Sequence, residues 1–569
     1  MRKQLTKQLT TALLAMALLM TTVLGGLGGL SVNADPIVPS DAPTEGSLKI
    51  TKNGAVTQNG TQTLEPLGGA VFTIYKIFDL TPGNDPGDYA TFTPVAHYNS
   101  VVGTLTPDEL QNYSATEIEG LATALLPLTV TAGNGGIAMD PTDPDDGIST
   151  KGSLGLGYYL VVETTTPAGY LTAKPFFVAI PSSNNYANDA IAATTWVYDV
   201  EVAPKNEKVT IDKTIANAQG DHENGTANPG DKSKDADNDT VAVGDFVDYR
   251  LDTIAPSYGP EYFLDPANLP KFVITDIMSD GLSITDDTDA LRKPIVVKAD
   301  GVALVLGVDY TIVAKDETGN NPDLVITFTR AFLEDEDNHG VAIEVTYSAL
   351  LTEAAVMGTT GNSNKVNLTF TNKPGTDTNG DPYEEDTPDE ETKVYVYDLE
   401  VMKTDTGREG ELEGAEFELY RADENGNFVD AATHQVGTAA KITDSDGLLI
   451  FKGVDAGIYY LKETKSPAGY TLLTNPIKVE IEAQLTDGEP NGNIKFYVEG
   501  VEVTVTTPLD NGQYQSHLLN TTGKVSVTVE NKKGFTLPST GGMGITIFLA
   551  VAFVGITGIS VILMKKKKA

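Results

Sequence analysis

Near the end of the 569-residue chain stands Leu537-Pro538-Ser539-Thr540-Gly541. An uncharged apolar run, residues 545–564, follows it, and Lys565 to Lys568 lie beyond, in a basic tail of residues 565–569. A run of that length crosses a bilayer, and the basic end stays cytoplasmic. By position, then, the pentapeptide is a cleavage site held close to the outer membrane face. A second candidate is Lys205, in the segment WVYDVEVAPKN at 196–206. Trp196, Tyr198, Val200 and Val202 share one strand face. Pro204 stops the strand, so Lys205 emerges at a domain edge, where a bulky acyl donor has access to it. The missing residues matter too. With 5 histidines, no cysteine and no phosphate-cradling loop, no zinc centre, thiol nucleophile or nucleotide site is expected. The acidic stretches 221–239 and 377–386 lack the glycine and terminal glutamate of a twelve-residue calcium loop. They read as solvated charge, and no metal or cofactor is assigned. An ordinary enzyme is not expected.

The N-terminus carries Arg2, Lys3 and Lys7 before an apolar stretch, and it ends in small residues. Residues 1–34 therefore read as a secretory signal peptide cut after Ala34. Everything between the two ends lies outside the cell. A cysteine-free chain in an oxidising compartment has no disulfides to staple it, so another covalent device is worth seeking. Without its basic ends the chain keeps 32 Lys+Arg against 79 Asp+Glu, a balance of −47. Such a surface repels nucleic acid and anionic lipid and favours solubility, as suits an exposed structural or adhesive protein.

These residues must be positioned by strands. Segments 209–213, 341–347, 366–370 and 525–529 alternate apolar with polar or small residues, with Gly/Asn/Asp turns between strands. The predicted fold is all-β, with stacked β-sandwiches. One helical pattern, 108–124, is expected within the first of them. An internal repeat fixes the order: GYYLVVETTTPAGY at 157–170 returns as GIYYLKETKSPAGY at 457–470. The opening strands 47–52 and 398–403 match as well. So residues 44–206 and 396–533 form two copies of one sandwich, 207–374 forms a different one, and the acidic stretch 375–395 is expected as a linker.

Three motifs carry a family resemblance. The pentapeptide, apolar span and basic tail together resemble the sortase signal of Gram-positive surface proteins. That resemblance implies attack of a sortase cysteine on the Thr540 carbonyl, release of Gly541 and transfer of the acyl group to an amine. Segment 196–206 resembles the pilin motif W-x-x-x-V-x-V-Y-P-K of backbone pilins, with Ala203 in the tyrosine position. It implies Lys205 as the acceptor. The repeated E-T-x-x-P-A-G-Y resembles the E-box of collagen-adhesin B-type (CnaB-like) domains. These close an internal amide between a first-strand lysine and a last-strand asparagine, with the E-box glutamate as catalyst. Carried over, the trios are Lys52, Glu163 and Asn206 in the first domain and Lys403, Glu463 and Asn531 in the third, with Lys49 competing for the place of Lys52. The middle domain resembles the A-type (CnaA-like) domain of fimbrial subunits. It implies Lys213, Asp276 and Asn364, with Asn372 as the other candidate asparagine.

The chemistry needs these residue types. A lysine attacks only when neutral, and burial lowers a lysine pKa while raising that of a carboxyl. A protonated carboxyl then polarises the amide and helps ammonia leave. As a whole the chain resembles a SpaA-type major pilin of a sortase-assembled pilus, built of tandem Ig-like domains of CnaB, CnaA and CnaB type. The implied partners are a pilus-specific and a housekeeping sortase, identical subunits head to tail, tip and base minor pilins, and peptidoglycan. Host matrix proteins are a further partner class. The implied location is the cell wall after Sec export. The rival reading is a monomeric wall-anchored adhesin for a host matrix protein.

Overall fold

The computed structural model describes residues 43–534, apart from stretches at 59–60, 82–90, 111, 183–195, 219–235, 285–293, 315–322, 378, 407–409, 424, 504–516 and 520–521. The expected signal peptide, the pentapeptide 537–541 and the apolar run 545–564 lie outside the described residues. Among those described, no helix is long and apolar enough to cross a membrane.

The polypeptide forms tandem Ig-like β-sandwiches. In the first, strand Glu45–Thr51 lies between Ile148–Gly155, antiparallel to it, and Asp199–Val202, parallel to it. Alternation turns Leu48 and Ile50 inward to meet Val200 and Val202. Facing them is a sheet built on Val71–Thr81, Gly157–Thr165 and Phe176–Ile180. This second sheet is covered on both faces. Phe72, Ile74, Tyr159 and Val161 point into the sandwich, while Ile77, Tyr158, Leu160 and Phe177 point outward under a helix. That is why Gly157–Thr165 reads as a near-continuous apolar run rather than an alternation.

The helix spans Ala115–Thr129, seven residues later than the expected start at 108. A separate one-turn α-helix, Pro107–Leu110, precedes it. Ser114 is the reason for the later start. Its hydroxyl accepts from the Glu117 N–H, and the Glu117 carboxylate accepts from the Ser114 N–H at 2.7 Å. This reciprocal cap satisfies two otherwise orphaned donors and fixes the start. Leu121, Ala122 and Leu125 bury themselves on the sheet.

The middle sandwich packs a six-stranded sheet, with Ile211–Ala218, Phe246–Ile254 and Ala342–Leu351, against a seven-stranded one. The latter contains Glu390–Tyr395, Asn362–Thr376, Phe272–Met278 and Leu324–Phe328. Here the expected linker at 375–395 is corrected. Pro382–Asp386 and Glu390–Tyr395 both pair antiparallel with Asn362–Thr376. Thr392 and Val394 are fully buried while Glu391 and Lys393 stay at the surface. The acidic composition therefore belongs to the solvent face of strands, not to an unstructured connection.

The last sandwich repeats the first. Tyr397–Asp405 lies between Leu448–Val454 and the parallel strand Lys524–Asn531. Glu416–Arg421, Gly457–Lys465, Ile477–Thr486 and Glu489–Val498 form the facing sheet. The units are also tied to each other. Glu385 of the middle unit accepts from the Gly169 N–H at 3.0 Å, and the Thr172 N–H donates to the Asn372 carbonyl at 2.8 Å. At the other junction Glu489 accepts from the N–H groups of Asp237 and Asn238.

Candidate functional site

In both outer units the inward stripes end in a polar residue at the same end of the sandwich. Along the first strand of the C-terminal unit, Tyr397, Leu399 and Val401 face the core, and Lys403 follows in step. Along the last strand Val525, Val527 and Val529 lead to Asn531. Parallel pairing matches Lys403 with Val529 and Asp405 with Asn531, so lysine and asparagine emerge together. On the facing sheet, Tyr459 and Leu461 lead to Glu463. The N-terminal unit repeats this with Leu48, Ile50 and Lys52, with Val200, Val202 and Asn206, and with Tyr159, Val161 and Glu163. All six polar side chains are buried, and both lysines have no exposure at all.

Such burial of charge is costly unless groups are paired. In the N-terminal unit the Lys52 Nζ donates to Asn206 Oδ1 at 2.5 Å and lies 3.5 Å from Glu163 Oε2. The Asn206 amide donates to Glu163 Oε1 at 2.9 Å. In the C-terminal unit the Asn531 amide donates to Glu463 Oε1 at 2.7 Å. The Lys403 Nζ lies 3.9 Å from that oxygen and donates to the Val529 carbonyl at 2.9 Å. Asn531 Oδ1 is buried and accepts no hydrogen bond. Burial, opposed in part by the glutamate, lowers Lys52 to about 8, and Lys403 likewise to about 8. Each lysine thus has an accessible neutral, nucleophilic form.

The E-box turn locks the glutamates. After Pro-Ala, Gly169 and Gly469 take left-handed φ values of 80° and 89°, which favour glycine. The chain folds back, so that Glu163 Oε2 accepts from the Ala173 N–H at 2.6 Å and Glu463 Oε2 from the Leu473 N–H at 2.8 Å. Just past the glycine, the Leu171 N–H donates to the Glu207 carbonyl, and the Thr471 N–H to that of Lys532. Glu207 and Lys532 immediately follow Asn206 and Asn531. One turn therefore orients both the carboxylate and the asparagine.

In the middle unit Lys213 is inward between Ile211 and Ile215, and Asp276 between Ile274 and Met278. The Lys213 Nζ donates to Asp276 Oδ2 at 2.5 Å and to the Tyr347 hydroxyl at 3.0 Å. Tyr347 in turn donates to Asp276 Oδ2 at 2.7 Å, and the Asn364 amide donates to Tyr347 at 2.9 Å. Burial lowers Lys213 to about 8 and raises Asp276. Tyr347 was not anticipated from sequence. The only trace of it is its inward place in the alternation of Ala342–Leu351. The competing candidates sit elsewhere. Lys49 is partly exposed and pairs with Glu201 at 3.5 Å. Asn372 donates to Glu385 at 3.2 Å, away from the lysine cluster.

Lys205 is exposed although Asn206, the next residue, is 1% exposed. It sits on the short strand Lys205–Glu207, paired parallel with Asn53–Gln58. Trp196 and Tyr198 pack on the N-terminal core from the same side as Val200 and Val202. No metal-ligating group of three or more His, Cys, Asp or Glu occurs among the described residues.

A family model for the N-terminal domain D1 of Gram-positive pilin subunits matches residues 38–207, and the SpaA prealbumin-like fold domain matches residues 397–491. Fimbrial subunit type 2 of Actinomyces naeslundii is 27% identical over 397 residues, covering 63% of this chain and 66% of that protein. Fimbrial subunit type 1 of Actinomyces viscosus is 23% identical over 576 residues, covering 90% and 91% respectively. The T6 backbone pilin of serotype M6 Streptococcus pyogenes, a modular three-domain structure, is similar in fold. Its TM-score is 0.50 at 18% identity, with 87% of this chain and all of that one covered. With these matches in the first and last units and a fimbrial likeness running between them, the chain is similar to the pilin and fimbrial subunits of Gram-positive bacteria.

Proposed function

We propose that this pilin is the repeating subunit of a covalent surface fibre, joined from the Thr540 carbonyl of one copy to the Lys205 amine of the next. A sortase cysteine breaks the Thr540–Gly541 bond and holds the acyl group as a thioester; Lys205 then displaces the thiol. The observation that carries this reading is the opposed fate of two neighbours. Lys205 stands in solvent at the start of the short strand Lys205–Glu207, while Asn206 is buried against Lys52 and Glu163. A pilus sortase polymerises the subunits, and a housekeeping sortase joins the fibre to peptidoglycan.

The buried trios supply internal strength. The Lys52 amine joins the Asn206 side-chain carbonyl, Lys213 joins Asn364, and Lys403 joins Asn531. Each closure forms one C–N bond, breaks one, and releases one ammonia. In the outer units the glutamate carboxyl beside the asparagine amide, once protonated, gives its proton to the departing nitrogen; the contacts of 2.9 and 2.7 Å support this role. In the N-terminal unit nucleophile and carbonyl are in contact at 2.5 Å, which lowers the entropic part of the barrier. In each outer unit a fibre under tension then transmits load through first and last strands that are bonded to each other.

The test is electrophoresis of wall extracts probed for the subunit. Ladders that survive boiling in SDS and vanish in Lys205→Ala cells are expected. A single discrete band from wild-type walls would instead support a monomeric anchored adhesin.

A further inference from the structure

The three trios are not chemically alike. In the outer units the carboxylate touches the asparagine amide directly, at 2.9 Å for Glu163 and 2.7 Å for Glu463. In the middle unit the acid is an aspartate, one methylene shorter. Asp276 Oδ2 accepts from Lys213 and Tyr347, and Asp276 Oδ1 accepts from nothing. The Asn364 amide nitrogen, the atom that must leave, donates to the Tyr347 hydroxyl at 2.9 Å. Tyr347 also receives the Lys213 amine at 3.0 Å. One fully buried phenol thus contacts the nucleophile, the acid and the leaving group.

Strand register explains how it gets there. Asp276 and Asn364 lie on one sheet, with Asp276 opposite Val366 and Asn364 opposite Met278. They are diagonal neighbours, a spacing of roughly 7 Å that a short carboxylate does not bridge. Tyr347 comes from the facing sheet, opposite Tyr249, whose ring stacks on it at 5.4 Å. Its hydroxyl therefore arrives between the two from across the core. Burial, with Asp276 beside it, holds the phenol well above its ordinary pKa, so it carries its proton.

We propose that Tyr347 is a catalytic residue of amide closure in the middle unit, relaying a proton from Asp276 to the departing nitrogen of Asn364. The inference rests on the internal-amide reading given above. With Asp276 protonated and Lys213 neutral, Nζ adds to Asn364 Cγ. Tyr347 passes its proton to Nδ2 as the Cγ–Nδ2 bond breaks, and it takes the proton of Asp276. Ammonia departs, and Asp276 regains a proton from Nζ of the new amide. No oxidant or further reactant is consumed.

The experiment follows linked peptides in the full chain by mass spectrometry at intervals after a pulse of synthesis. In Tyr347→Phe the Lys213–Asn364 peptide should appear about 100-fold more slowly, the usual scale of a lost proton-transfer group. The Lys52–Asn206 and Lys403–Asn531 peptides should appear at wild-type rates, which controls for export and folding of the chain. A second variant carries difluorotyrosine at 347, of nearly the same shape but more acidic. Its linking rate should shift away from wild type, which a packing role alone would not cause. Wild-type linking rates in either variant would overturn the relay. Absence of the Lys213–Asn364 peptide from the wild-type chain would instead overturn the internal-amide reading for this unit.

Discussion

Consider Lys403→Met, which removes one nucleophile while keeping an unbranched apolar stem of similar length. It leaves Asn531 bonded to Glu463 and the E-box turn bonded to Glu463. What disappears is the closure of a loop whose ends are 128 positions apart (531 − 403). Loop-closure entropy makes that worth about 5 kcal/mol. The ammonium is removed with it, and the Glu463 carboxyl keeps its hydrogen bonds from Asn531 and Leu473. At about 3 °C per kcal/mol for a unit of this size, the C-terminal transition should fall by about 15 °C. Scanning calorimetry reads the shift, and intact mass reads the chemistry. The wild-type chain should be lighter than its sequence by one ammonia per closed unit, and the variant should have one deficit fewer. A transition that moves by less than about 3 °C would refute the entropic reasoning, because the closed loop would then contribute under about 1 kcal/mol. A wild-type mass equal to the sequence mass would refute the closure itself.

Linking rates should depend on pH. Closure needs a neutral lysine beside a protonated carboxyl, a state with the same proton count as the ion pair. With Lys52, Lys213 and Lys403 near 8, refolding an unlinked chain and timing ammonia release should give rates that hold steady below about pH 8 and fall above it, where the pair loses its shared proton. Asn206→Ala leaves Lys52 buried and unlinked, with its folded pKa below the unfolded 10.5. The unfolded chain then binds more protons between pH 8 and 10.5. Stability of that unit should therefore rise by about 3 kcal/mol across the window and be lost again as pH falls to 8; urea midpoints measure this. Glu385→Ala should free the Gly169 N–H and speed its hydrogen exchange without altering linking in either neighbour. Ser114→Ala should cost the first unit about 1 kcal/mol through loss of the helix cap, read as a small drop in its melting temperature.

Much of this was legible because the trios sit where regular alternation ends. Lys403, Glu463 and Asn531 each continue an apolar stripe by one step, and the internal repeat pointed to the same steps for Lys52, Glu163 and Asn206. The fold class followed from period-two patterning for the same reason. The errors lie where charge or cap chemistry outweighs pattern. Residues 375–395 read as a linker because acids dominate the count, yet Thr392, Val394 and Tyr395 are buried and dock the strand. The helix begins later than its apolar pattern indicates because the Ser114–Glu117 box sets its first turn. For Tyr347 the sequence shows only an inward place on its strand. Its role depends on a contact between two sheets, and no single-strand pattern reports which residues meet across a core.

The central claim is that particular lysine amines become amide nitrogens, with Lys205 the one that couples subunits. Digestion of wall-released fibres followed by tandem mass spectrometry reads this directly. A branched peptide in which the Thr540 carbonyl is bonded to the Lys205 side chain is the expected product. Fibre-derived peptides in which Lys205 always bears a free amine would contradict the account.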